Sequence, residues 1–324
     1  MILSLLKAVA YLSLPVVVPS GLRYYARAGL YLLSLGLVGT ASTFIAAVMA
    51  AGGDRFSACH LVARTFYLSA GSLLDLSIEI DGAEWLDAAG PAIIMNNHQS
   101  MLDVLVVGRC MPRKTSILSK RSILFTPLGL FMTLSGCIFI DRANFESAKR
   151  SLNDAAKTMR DRNVGLWIFP EGTRHLSNTP GMLPFKKGGF HVAVQAGLPI
   201  LPIVTENYWH IYHKGVFTNG VIRIKVLPPI PTTGLSASDV PDLVTHVRDC
   251  MLLALKEIST PVQSSADVPP NTDDNAASAS DEHTKLDDGT TPISRTMTLS
   301  DRSLEDDEDE GMVMVRHPDD KSHS

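Results

Sequence analysis

Between Ala28 and Gly53 the chain runs for 26 positions without a charged side chain. A helix of that length, rising about 1.5 Å per residue, outreaches the ~30 Å hydrocarbon layer of a bilayer, so the pattern predicts a membrane-embedded helix. A shorter apolar run, Ala8 to Leu22, precedes it and is broken by Pro15 and Pro19; Arg23-Tyr24-Tyr25-Ala26-Arg27 separates the two. Cationic heads interleaved with aromatic rings suit a lipid headgroup layer. Two arrangements fit. The runs form a hairpin within one leaflet, or the long one spans the bilayer, and the positive-inside rule then sends everything after it to the lumen. A cleavable signal over residues 1–20 competes with both, but no small-residue cleavage site precedes position 21.

After Asp54 the spacing changes to short β-rich runs alternating with helical stretches. Strands are expected at Leu76–Asp81, Ala92–Met95, Thr115–Leu118, Cys137–Ile140, Gly165–Phe169, Ile200–Thr205 and Val221–Val226. Helix-like segments fall at about 100–111, 144–162, 186–196 and 239–258, which makes the body an α/β domain. Asn144 is a suitable helix start, and Glu146 and Arg150 stand at i,i+4 spacing. Past Thr260 the chain turns to Pro, Ser, Thr, Asp and Asn. The pattern therefore divides it into membrane segments at 1–53, a folded domain at 54–260 and a disordered tail at 261–324.

Charge sharpens that division. The whole chain of 324 residues has a formal charge of −4, yet residues 261–324 hold 16 Asp and Glu against 5 Lys and Arg. The tail is thus −11, which leaves +7 on residues 1–260. Such a chain is not a plainly basic nucleic-acid binder; it is a basic body with an acidic appendage. Ser300 and Ser303 lie beside carboxylates, so a kinase acting on the tail is an expected partner. Cys59, Cys110, Cys137 and Cys250 form no C-x-x-C pair and read as buried or idle thiols.

The strongest chemical signal is Asn96-Asn97-His98-Gln99-Ser100-Met101-Leu102-Asp103, directly after an apolar strand. In one continuous helix, five residues turn about 500°, leaving His98 and Asp103 roughly 140° apart. With His98 in a loop, Ser100 as cap and Asp103 in the first turn, the carboxylate reaches the imidazole. A histidine so held is a general base for a hydroxyl proton. Phe169-Pro170-Glu171-Gly172-Thr173-Arg174 follows a second strand and so sits at a carboxyl end, where open α/β sheets bind ligands. Gly172 permits close backbone approach, and the Arg174 fork suits a phosphate.

These blocks, with Gly136-Cys137-Ile138-Phe139-Ile140-Asp141-Arg142 and Leu201-Pro202-Ile203-Val204, occur in the order and approximate spacing of the four blocks of the glycerolipid acyltransferase family, which residues 70–230 resemble. The branch it most resembles acylates 1-acylglycerol-3-phosphate. The resemblance implies a mixed sheet flanked by helices behind an N-terminal membrane helical hairpin. It implies that His98 is the base and Asp103 its orienting partner, and that Arg142, Glu171, Gly172, Thr173 and Arg174 bind the phosphate and glycerol of the acceptor. Lys120 matches a basic position before the second block. The fourth block serves the acyl site or is simply a core strand. His175 stands where the family often has Ser, and Lys186 and Lys187 match a segment after the third block, with a solvated helix start as the alternative.

Acyl transfer from a thioester to an alcohol needs a deprotonated hydroxyl and a site that tolerates an oxyanion, but no metal and no enzyme nucleophile. The chain has no G-x-S-x-G elbow. The expected cofactor set is therefore empty, with acyl-CoA as co-substrate. Lysophosphatidic acid and membrane lipids are the other expected partners, at the endoplasmic reticulum or a related lipid-synthesising membrane. Two anionic reactants fit a body of +7 beside a membrane. Three other readings compete. They are transfer to glycerol-3-phosphate or another lysophospholipid, a silent lipid-binding scaffold, and a metal hydrolase, which no H-E-x-x-H supports.

Overall fold

The computed structural model describes residues 20–141 and 143–259. The first apolar run up to residue 19, Arg142 and the acidic tail lie outside the described residues, and so do the signal-peptide, hairpin and kinase expectations.

The uncharged stretch forms α1, Ser20–Ala51, a helix of 32 residues. Its buried positions, Arg27, Tyr31, Ser34, Ser42 and Ala46, recur at steps of three, four and eight, so they share one face. Leu22, Leu32, Leu33, Leu37, Phe44 and Val48 are exposed on the other. A 3-10 turn, Arg55–Ser57, leads into α2, Ala58–Phe66, which runs on through a π-helical turn, Tyr67–Gly71, and a last turn, Ser72–Leu74. The body follows in the order β1 Leu76–Asp81, α3 Glu84–Ala88, β2 Ile93–Asn96, α4 Asp103–Cys110, β3 Thr115–Lys120, α5 Pro127–Leu134 and β4 Ile138–Ile140. Then come α6 Phe145–Arg162, β5 Gly165–Ile168, α7 Gly188–Ala196, β6 Ile200–Thr205, a small hairpin of β7 Tyr212–His213 and β8 Val216–Phe217, β9 Gly220–Val226, and α8 Val240–Ile258.

Seven strands form one sheet in the order β1-β9-β6-β2-β5-β3-β4. From β6 to β4 every pairing is parallel; β9 pairs with β6 antiparallel and with β1 parallel. The sheet is mixed, as expected. β2, β5 and β6 are buried at every position because helices cover both faces, and the period of two deals their side chains to two cores. Ile93, Met95, Leu166, Ile168 and Val204 meet α6, α7 and α8 through Met159, Phe190 and Val247. Ile94, Trp167, Leu201 and Ile203 point the other way, toward α2, α4 and the buried face of α1 through Phe66, Leu105 and Tyr31. The apolar N-terminal helix is thus a working part of the core. α4 packs so tightly on α2 that a Cβ at Gly108 would stand 2.2 Å from the Ala63 carbonyl oxygen.

Two local signals behave as read. Asn144 accepts from the Ser147 amide at 2.8 Å and starts α6, and Asn163, with φ 53°, ends it in the left-handed region that Asn tolerates. The thiols of Cys59 and Cys137 lie 3.4 Å apart, both buried, and tie α2 to the residue before β4.

Candidate active site

The parallel strands β6, β2, β5, β3 and β4 all end on one edge of the sheet. The segment after β2 carries His98, the segment after β5 carries Phe169 to His175, and β6 is followed by Glu206, Asn207 and Tyr208. β3 ends at Lys120, in register with Ile140 of β4, two residues before Arg142. Topology sets the first and third blocks at the ends of neighbouring strands, β2 and β5, with the fourth in β6 beside β2, while β4, which carries the second, lies at the far edge of the sheet.

The loop after β2 is pinned to the end of β6. Asn97 exchanges two bonds with Thr205, its amide donating to the carbonyl at 2.9 Å and its Oδ1 accepting from the backbone N–H at 2.8 Å. Asn96 donates to the Ile203 carbonyl at 2.9 Å, and Gln99 to the Glu206 carbonyl at 2.8 Å. All three side chains are buried, so each of these bonds also spares a polar group a desolvation cost.

His98 lies in this loop and Asp103 opens α4, as the helical-phase argument requires. Nδ1 is 2.7 Å from Asp103 Oδ2. A carboxylate only accepts, so Nδ1 carries the hydrogen, and in the neutral ring Nε2 keeps its lone pair. Asp103 is 1% exposed and also accepts from the amides of Gln99 at 2.7 Å and Ser100 at 3.1 Å. The expected capping role of Ser100 is filled differently. Leu102 precedes α4, and the Ser100 hydroxyl accepts from the Leu102 amide at 3.1 Å.

The turn after β5 crosses directly over His98. The His98 N–H donates to Glu171 Oε1 at 2.8 Å, and its carbonyl accepts from the His175 N–H at 2.8 Å. Phe169 stacks on the imidazole, with centroids 4.0 Å apart and planes inclined by 23°. Glu171, expected among the acceptor-binding groups, is 3% exposed, and its second oxygen takes the Leu183 amide at 2.8 Å. It braces two backbone segments and turns no free oxygen outward. Burial raises its pKa, while the amides it binds and the nearby His175 and His98 oppose the rise. Gly172 has φ +76°, a conformation that favours glycine, and so lets the turn double back.

Thr173 and Arg174 are exposed beyond that turn. The Arg174 charge reaches the hydroxyls of Tyr31 in α1 and Tyr212 in β7. Lys120 is exposed at the end of β3, two strands away from β2. Lys187 is exposed at the start of α7, and the Lys186 amide donates to the Pro170 carbonyl at 2.7 Å. Arg142 lies outside the described residues.

Three residues at the site escape sequence reasoning. Phe169 is legible as a strand's last residue and as the first of the Phe169–Arg174 block, but its stacking on His98 is not. Tyr31 looks like one more aromatic in an apolar run, yet its hydroxyl donates to the Met101 carbonyl in the loop after β2. Tyr208, fully buried, donates to Asp103 Oδ1 at 2.7 Å. Nothing local marks either tyrosine, because the partner lies 70 residues from Tyr31 and 105 from Tyr208. The metal reading fares poorly here: among the described residues no group of three His, Cys, Asp or Glu is placed to hold an ion, and His98 and Asp103 are bonded to each other.

A family model described as Acyltransferase matches residues 77–206, which run from β1 to just past β6. The chain is 36% identical over 258 residues to a 1-acyl-sn-glycerol-3-phosphate acyltransferase of Saccharomyces cerevisiae, covering 78% of this chain and 85% of that one. It is 40% identical over 202 residues to the human 1-acyl-sn-glycerol-3-phosphate acyltransferase alpha, covering 61% and 71%. The crystal structure of PlsC, the 1-acyl-sn-glycerophosphate acyltransferase of Thermotoga maritima, shares the fold with a TM-score of 0.50 at 23% identity, over 70% of this chain and 97% of that one. Identity of 36% over 78% of this chain and 85% of the yeast relative shows that this chain belongs to the acyltransferase family that contains the 1-acyl-sn-glycerol-3-phosphate acyltransferases.

Proposed function

We propose that the protein transfers a fatty acyl group from acyl-CoA to the sn-2 hydroxyl of 1-acylglycerol-3-phosphate, giving phosphatidic acid. One observation carries the reading: His98 Nδ1 stands 2.7 Å from Asp103 Oδ2 at the carboxyl edge of the sheet, with Arg174 on the turn that crosses it. Nε2 takes the hydroxyl proton as the oxygen attacks the thioester carbonyl. The tetrahedral intermediate collapses, the C–S bond breaks, and the imidazolium returns the proton to the departing coenzyme A thiolate. Asp103 fixes the tautomer and steadies the imidazolium; Phe169 and Glu171 hold the ring and its backbone in place. Arg174, Gly172, Thr173 and, from the sequence blocks, Arg142 receive the acceptor's phosphate and glycerol. Lys120, farther along the edge, draws anionic reactants toward it.

The site works at a lipid-synthesising membrane, the endoplasmic reticulum in a eukaryotic cell, facing the aqueous side that supplies acyl-CoA. Among the described residues one helix, Gly21–Ala51, is long and apolar enough to cross a bilayer. The packing of α1 favours a helix lying within one leaflet. Tyr31, a third of the way along it, touches the catalytic loop, so a spanning α1 would carry the active site into hydrocarbon, where a charged coenzyme cannot follow.

The test uses purified full-length protein, labelled acyl-CoA and a panel of acceptors. Phosphatidic acid should form with 1-acylglycerol-3-phosphate in preference to glycerol-3-phosphate or larger-headgroup lysophospholipids, and His98→Ala should abolish it while the protein stays folded and membrane-bound. Full activity in His98→Ala would sink the mechanism.

A further inference from the structure

Asp103 is the most heavily bonded side chain at the site, and its fourth bond is the one the reaction has not yet used. Oδ2 receives the imidazole and two loop amides; Oδ1 receives Tyr208 alone, at 2.7 Å. The directions along this chain are fixed by what each group can do. A carboxylate only accepts, so the Tyr208 hydroxyl points its hydrogen at Asp103. Its oxygen then accepts from the Ser100 hydroxyl, 2.8 Å away. The Ser100 oxygen in turn accepts from the Leu102 N–H at 3.1 Å. The result is a one-way run from Leu102 through Ser100 and Tyr208 to Asp103 and His98. Each buried link polarises the next.

We propose that Tyr208 is a positioning residue for acyl transfer: acting through Asp103, with Ser100 behind it, it sets the orientation and the basicity of His98. The inference rests on the reading of His98 as the base. Tyr208 is suited to the task because it cannot supply charge of its own. Burial and the adjacent carboxylate push its phenol well above the ordinary value, so it remains a donor at any physiological pH. A bond donated to Oδ1 draws charge from the carboxylate and weakens its hold on the imidazolium. Without that bond, Asp103 stabilises the protonated ring more strongly, and His98 is a free base over a narrower range of pH. The other titratable groups facing the pair are Glu171, His175 and Arg174 from the turn after β5 and Tyr31 from α1, and a change at Tyr208 leaves all of them in place.

The decisive variant is Tyr208→Phe in the full-length protein in detergent micelles, with kcat/KM followed against pH. The acidic limb should move up by about half to one pH unit, and kcat below it should fall about three- to tenfold, with the acceptor KM within about twofold. Ser100→Ala, which removes the next link and keeps the phenol, should move the limb the same way by less. It also serves if Tyr208→Phe fails to fold. A residue that merely fills space would cost stability and leave the limb where it was, and that result would overturn the proposal. The pH dependence of diethyl pyrocarbonate modification at the His98 peptide gives a second readout that needs no turnover. Its midpoint should rise in step with the limb. A shifted midpoint in a protein that transfers no acyl group would overturn the acyl-transfer reading and keep the coupling, whereas an unshifted midpoint would overturn the coupling whatever the activity.

Discussion

At the scale of single residues, Arg174 and Glu206 make opposite uses of charge. Arg174 is exposed on the turn that crosses His98, and the planar fork of a guanidinium fits two phosphate oxygens at once. Arg174→Ala should raise the apparent KM for 1-acylglycerol-3-phosphate by about ten- to a hundredfold while kcat changes little; an unchanged KM in steady-state assays would remove it from the phosphate site. Glu206 is 1% exposed, accepts from the Arg223 amide at 2.8 Å and has a second oxygen, Oε2, without a partner. Burial pushes its carboxyl up to about 7. In the unfolded chain a glutamate titrates near about 4.3, so between those values the folded protein holds the extra proton and stability falls as pH rises. Glu206→Gln keeps the amide contact and removes the titration. Relative to the parent it should gain on the order of 2 kcal/mol at pH 8 and nothing at pH 4, as read from thermal unfolding in detergent at each pH.

At the scale of elements, α1 is built into the core on one face, and its other face is the proposed anchor. Losing the Tyr31 hydroxyl would leave the Met101 carbonyl without its donor, at a cost of about 1–3 kcal/mol. Tyr31→Phe should therefore lower both the melting temperature and kcat, whereas a helix serving only as an anchor would show neither effect. The sequence reads well where an element's own pattern settles its state. All seven strands of the sheet lie where alternation and apolar runs place them, Leu76–Asp81 and Ile200–Thr205 to the residue. The four expected helices of the body are present as α4, α6, α7 and α8. Missing from that reading are α2, the five-residue α3 and α5. α2 carries a buried stripe, Ala58, Cys59, Val62 and Phe66, but it is short and gives way to a π-helical turn that breaks the 3.6-residue period; α5, Pro127–Leu134, is apolar on every side and has no phase to detect. The His98 and Asp103 pairing was legible because both residues fall within one loop and one helix start. The roles of Tyr31, Tyr208 and Phe169 were not, since each depends on which strands become neighbours.

At the scale of the whole molecule, the proposed membrane contact is the outer face of α1. Its outer face, from Leu22 to Val48, is apolar over nearly the full helix, about 40 Å at 1.5 Å per residue, while its inner face is occupied by the protein. If the helix lies in one leaflet, tryptophans placed singly at Leu22 and Val48 should be quenched by brominated lipids at the same shallow depth; a spanning helix would separate them. Replacing Leu33, Leu37 and Phe44 together by Gln should release the protein from liposomes without lowering its melting temperature, because all three are exposed. The sheet order has a further consequence, for synthesis. The first strand, β1, pairs only with β9, and Leu76 must wait for Gly220, 144 positions later. At roughly 5–20 residues per second, that is about 7–30 s on the ribosome with an unpaired edge. Throughout that interval the nascent chain offers a bare strand edge, so the protein is most vulnerable to mispairing before β9 is made, and its yield in cells should depend on what shields β1 until then.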